Sequence, residues 1–81
     1  MKYELVFSRE FEKDFSKLDK RNQSLVLKKV LVLRKNPLVG KPLRFDLKGS
    51  RSMRVGRYRI IYKINNRILL LALKHRKKAY D

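Results

Sequence analysis

Residues 54–62 read R-V-G-R-Y-R-I-I-Y, with branched and aromatic residues set around one glycine and three arginines. Such side chains favour a pleated strand. Gly56-Arg57 has the Gly-X form of a two-residue type II′ hairpin turn, because glycine takes a positive φ at the first turn position without a Cβ clash. The stretch therefore predicts two antiparallel strands meeting at residue 56. A second turn is expected at Asn65-Asn66, since asparagine tolerates the left-handed conformation that a type I′ turn needs. Together the two turns predict a three-stranded meander.

Counting outward from these turns puts Val55 opposite Tyr58, Arg54 opposite Arg59, Ile64 opposite Arg67 and Arg59 opposite Ala72. Side chains alternate between sheet faces. One face is expected to gather Met53, Val55, Tyr58, Ile60, Tyr62, Ile64, Leu69, Leu71 and Leu73 as a core. The other gathers Ser52, Arg54, Arg59, Ile61, Lys63, Ile68, Leu70, Ala72 and Lys74, and is partly basic. Arg54 opposite Arg59, with Lys74 one diagonal step away, sets like charges together, which destabilises a sheet unless an anion lies between them. A conflict of this kind marks a candidate site. The simpler alternative is a set of solvated cations whose stems lie over Ile61 and Leu70.

With 81 residues the chain is expected to form one domain, 1–81. Folding at this size buries roughly 60% of the unfolded surface, which leaves little room for a deep pocket. There is no cysteine and one histidine, so disulfides, a thiolate nucleophile and a histidine metal cage are not expected, and no cofactor is implied. The opening residues run straight into charges and no apolar stretch reaches membrane-spanning length, so a cytoplasmic, soluble protein is expected.

The net charge of +16 is unevenly spread. Residues 1–20 balance five acids against five bases, whereas 18 lysines and arginines beyond residue 20 face only Asp46 and Asp81. That distribution is the footprint of a polyanion binder, nucleic acid first. An anionic membrane fits less well, because the cations do not line a helix with a separate apolar face.

Around the meander, Lys2 to Phe7 alternates as a strand at or near a sheet edge. Ser8 is a candidate N-cap for a helix from about Arg9 to Lys17, in which Phe11, Phe15 and Leu18 recur at core spacing. Asp19 caps a second helix over residues 20–35, whose wide apolar arc suggests contact with both the first helix and the sheet. Asn36-Pro37 ends it, because a residue before proline avoids the α region. Residues 38–49 read as a loop, with a short extended piece at Leu43 to Leu47. The class is α+β, in the order β-α-α-β-β-β, with the helices on one sheet face.

Taken together, the F-S-R-E-F-E-K-D-F-S-K-L opening, the L-R-K-N-P-L-V-G-K-P-L junction, the L-K-G before the meander, R-V-G-R-Y-R-I-I-Y and H-R-K-K-A-Y resemble the RelE/ParE toxin superfamily. The likeness covers nearly the whole chain and is nearest to RelE-type toxins, including the short archaeal ones. It implies a RelE-like fold and a toxin of a type II toxin–antitoxin system. It further implies an endoribonuclease that cuts mRNA in the ribosomal A site by attack of a 2′-hydroxyl on the adjacent phosphate. The implied partners are the ribosome, mRNA and an acidic, RelB-like antitoxin in a hetero-oligomer.

Carried over by motif, the resemblance puts catalytic roles on Arg59, Arg76 and Tyr80. Two lysines of a well-studied member align with Ser50 and Ser52, which leaves Arg54 as the nearby cation and the general base unassigned. His75 is a candidate acid or base, or else a surface residue, and Lys74 is an alternative base if neighbouring cations lower its pKa. Arg54, Arg57, Lys74 and Lys77 are candidate RNA- or phosphate-binding residues, since guanidinium and ammonium groups suit phosphate. Two other function classes stay open: a ParE-like inhibitor of DNA gyrase and a non-catalytic RNA-binding module.

Overall fold

The computed structural model describes residues 3–75. A short strand β1, Leu5–Phe7, leads into helix α1, Arg9–Ser16, and then helix α2, Lys20–Lys35. Both helices start where the sequence places a capping side chain. Ser8 Oγ accepts from the Phe11 N–H at 3.0 Å and Asp19 Oδ1 from the Asn22 N–H at 3.0 Å, so each satisfies one of the donors a helix start leaves open. Asn36-Pro37 closes α2, as the sequence indicates, and proline opens a single 3-10 turn over Pro37–Val39.

The remaining strands are β2, Lys41–Pro42, β3, Arg51–Val55, β4, Tyr58–Asn65, and β5, Arg67–His75. They form one mixed sheet of order β1-β5-β4-β3-β2. Its antiparallel meander is the expected one, but the sheet has two additional features. The N-terminal strand joins it by running parallel to β5, and a two-residue strand extends the far edge beside β3. That edge pair occupies residues 41–42. The extended piece expected at Leu43 to Leu47 is instead a 3-10 turn over Phe45–Leu47, entered through Phe45 at φ 57.

The first hairpin has the expected register, with Val55 opposite Tyr58 and Arg54 opposite Arg59, and Gly56 takes φ 58 at its tip. The second differs. Asn65 lies opposite Arg67, so the tip is the single residue Asn66 at φ 60, and Ile64 pairs with Ile68 rather than Arg67. This one-residue change swaps the faces of the first half of β5. Ile68 and Leu70, expected beside the cations, are fully buried in the core, and Leu69 and Leu71 leave it. A bulge then inserts Leu71 between the pairs Tyr62–Leu70 and Ile61–Ala72, which restores the original phase, so Leu73 is again core.

Helix residues Phe11, Val26, Val30 and Leu33 pack with Val55, Ile60, Tyr62, Ile68, Leu70 and Leu73 on one side of the sheet. Phe15 and Leu18 lie against that cluster, in agreement with their helical spacing. The apolar arc of α2 is only partly used. Val26, Val30 and Leu33 are buried, whereas Leu25, Leu27, Leu31 and Val32 are exposed. Among the described residues no helix is long and apolar enough to cross a membrane.

Candidate functional site

The sheet face away from the helices carries the basic residues. Alternation and register form two rows across it. Lys41, Ser52, Ile61 and Ala72 are aligned on successive strands, and one step along, Arg54, Arg59 and Lys74 are aligned. Ser52, Ile61 and Ala72 are buried and small or branched, so they make a floor from which the longer cations rise. Strands β2 to β5 contain no acidic residue.

Arg59 occupies the centre of this face. The register of the second hairpin and the bulge place Lys74, rather than Ala72, directly opposite it, so Arg59 has a like charge on each side, Arg54 on β3 and Lys74 on β5. Its Nη1 donates to Ser52 Oγ at 3.3 Å, which turns the guanidinium toward β3. Lys74 is compensated from outside the sheet, since its Nζ lies 2.9 Å from Glu10 Oε2 in the first turn of α1. Both side chains of that pair are about half exposed, so water screens it.

The other expected site residues are dispersed. Arg54 is exposed beside Arg59, and Arg57 projects from the hairpin turn. His75 lies opposite Tyr58, with ring centroids 5.5 Å apart in an edge-to-face arrangement. Tyr58 packs on the core, so that pair sits on the helix side of the sheet, on the opposite face from Arg54 and Arg59. Arg76, Lys77 and Tyr80 lie outside the described residues. Among the described residues no group of three histidine, aspartate or glutamate side chains is arranged as a metal site.

Two residues without an assigned role shape the site. A shallow pocket of ≈ 260 Å³ opens between Lys41, Ser52, Arg54 and Arg59, with Val39, Gly40 and Met53 completing its wall. Lys41 belongs to the segment read as loop, where only the pairing of residues 41–42 with β3 reveals its face. Tyr62, read simply as core, has its hydroxyl inside a polar clamp: it donates to Pro37 O at 2.6 Å and accepts from the Gly40 N–H at 3.0 Å. Burial pushes the phenol above the ordinary tyrosine value of 10.0, partly offset by the Gly40 hydrogen bond and the charge of Arg51.

Comparison with known proteins gives concordant matches. The family described as "ParE toxin of type II toxin-antitoxin system, parDE" matches residues 5–80. Toxin RelG of Mycobacterium tuberculosis is 35% identical over 85 residues, covering 99% of this chain and 98% of RelG. Among solved structures, the RelBE2 toxin–antitoxin complex from Mycobacterium tuberculosis contains a chain that superposes with a TM-score of 0.85 at 34% identity, covering 94% of this chain and 100% of that one. The archaeal RelE–RelB complex from Pyrococcus horikoshii gives 0.78 at 26% identity, covering 98% and 100%.

Proposed function

Because the chain belongs to the ParE toxin family of type II toxin–antitoxin systems, within the RelE/ParE superfamily, we propose that it is a ribosome-dependent endoribonuclease cutting mRNA in the ribosomal A site. The observation that carries this reading is the row Arg54–Arg59–Lys74, three directly opposed cations on a face whose strands β2 to β5 contain no acidic residue. A polyanion lying across the row relieves their repulsion, and a phosphodiester matches the forked donors of arginine.

Cleavage through the 2′-hydroxyl requires that hydroxyl to lose a proton, the phosphorane to be stabilised and the 5′-oxygen to gain a proton. Arg59 and Arg54 grip the scissile phosphate and stabilise its added charge. Arg76 acts on the leaving side and Tyr80 orients the nucleotide, by the resemblance of the H-R-K-K-A-Y tail. Lys74, tied to Glu10, contributes to the field of the row. His75 pairs with Tyr58 on the opposite face from Arg54 and Arg59, so it is less well placed to act on the reacting atoms than its position in sequence suggests. The shallow site supplies little positioning by itself, so the ribosome provides the second wall and the proximity it brings. The antitoxin-bound relatives support a RelB-like antitoxin as the partner of this chain, whose net charge of +16 favours an acidic one.

The test is induced expression of the chain and its Arg59→Ala variant, with growth arrest and primer extension on translated mRNA as readouts. Arg59→Ala is expected to lose on the order of 10² or more in cleavage rate while the protein stays folded. Unchanged cleavage by that variant removes the face as the active site. The family match to ParE toxins keeps gyrase inhibition as a second reading. Arrest with a DNA-damage response and intact mRNA selects it.

A further inference from the structure

We propose that Lys41 is the third cation of the phosphate grip, binding the same RNA phosphodiester as Arg54 and Arg59. The assignment rests on the reading of this face as an RNA surface. Strand β2 is only two residues long, yet its approach is held by three hydrogen bonds. Tyr62 Oη donates to Pro37 O, the Gly40 N–H donates to Tyr62 Oη, and Arg51 Nη1 donates to Gly40 O at 2.6 Å. Glycine is required at position 40 by closeness rather than by dihedral angle, because a Cβ there would overlap Tyr62 Oη and stand 2.8 Å from Ser52 O. The backbone that enters Lys41 is therefore fixed against the sheet by a buried clamp, although the Lys41 side chain itself is exposed.

That clamp puts Lys41 directly opposite Ser52. The Ser52 hydroxyl in turn accepts from Arg59 Nη1 at 3.3 Å. Directly opposed residues on antiparallel strands have Cβ atoms roughly 5 Å apart. Ser52 is small and only 4% exposed, so no bulk separates the lysine on one side from the guanidinium on the other. Both residues, with Arg54, border the ≈ 260 Å³ pocket. Three cations around a shallow floor that carries the Ser52 hydroxyl suit one phosphate, gripped by two planar forks and one point charge. Val39, on the pocket wall, offers an apolar surface to a ribose.

The experiment measures binding of the full chain to a single-stranded 2′-O-methyl RNA oligonucleotide, which cannot be cut through its 2′ position, over a range of salt concentrations. Lys41→Ala is expected to weaken binding by roughly tenfold or more at low salt, the scale of one hydrogen bond to a charged group. It should also lower the slope of log affinity against log salt by about one. Lys41→Arg should retain most of the affinity, and Lys41→Ala combined with Arg59→Ala should cost less than the two single losses added together, because both act on one phosphate. Lys28→Ala, on the exposed side of α2, is the control for generic charge. If Lys41→Ala behaves like Lys28→Ala while Arg59→Ala binds poorly, Lys41 lies outside the grip and the RNA reading survives. If Arg59→Ala also binds like the parent chain, the RNA face itself is wrong and the inference goes with it.

Discussion

Tyr62 concentrates several demands on one side chain. Its ring belongs to the core between helices and sheet, while its hydroxyl is the shared partner of Pro37 and Gly40. Tyr62→Phe keeps the ring and strands a carbonyl and an N–H in a buried place, at a cost of about 1–3 kcal/mol. The same site has a pH signature. Burial raises the folded phenol above 10.0, so folding excludes the phenolate. An acid whose folded value is raised contributes stability that is complete below the unfolded value and declines as pH rises through the folded one. Urea unfolding at successive pH values should therefore show the advantage of the parent chain over Tyr62→Phe constant below pH 10 and shrinking above it. An advantage that grows with pH contradicts a buried neutral phenol.

At the scale of elements, the bulge in β5 and the start of α1 are one device. Inserting Leu71 breaks the regular ladder, and the Leu71 carbonyl is met by Ser8 Oγ at 2.7 Å. The same oxygen accepts from the Phe11 N–H, and the Ser8 N–H donates to Leu70 O. Ser8 thus caps the helix, satisfies the bulge and fixes the angle at which α1 crosses β5. Ser8→Ala should lower stability by about 1–2 kcal/mol, the upper range for a lost cap. In a thermal melt that corresponds to roughly 4–8 °C per kcal/mol for a domain of this size. Ser8→Asp restores an acceptor for the helix but no donor for Leu71, so it should recover only part of the loss. Full recovery would show that the bulge contact adds nothing.

At the scale of the whole molecule, charge is separated along the chain. The acids are concentrated in the first 20 residues and the excess of bases lies beyond them. Glu10 is the point where the two regions meet, since it reaches from α1 to Lys74 at the edge of the basic row. An acidic antitoxin that covers this row should abolish RNA binding, because long-range attraction and local contact are neutralised together. Co-purified toxin–antitoxin complex is thus expected to bind RNA far more weakly than the toxin alone, and equal binding by the two excludes masking of this face.

The sequence by itself determined the features that short-range chemistry controls. Ser8 and Asp19 set the helix starts, Asn36-Pro37 the end of α2, and Gly56-Arg57 the first hairpin, whose two-residue tip leaves Arg54 opposite Arg59. Each depends on a few neighbouring residues, so no knowledge of distant contacts was needed. Tertiary structure alone decided the second hairpin. Its Asn66 tip and the bulge at Leu71 follow from which apolar residues of β5 meet the helices, and in a run as uniformly apolar as residues 68–73 alternation cannot choose between Leu69 and Leu70. That choice placed Lys74 opposite Arg59 and His75 beside Tyr58. The parallel pairing of β1 with β5 and the docking of Lys41 beside Ser52 were equally illegible, because the hydrogen bonds and packing that create them join residues far apart in the chain.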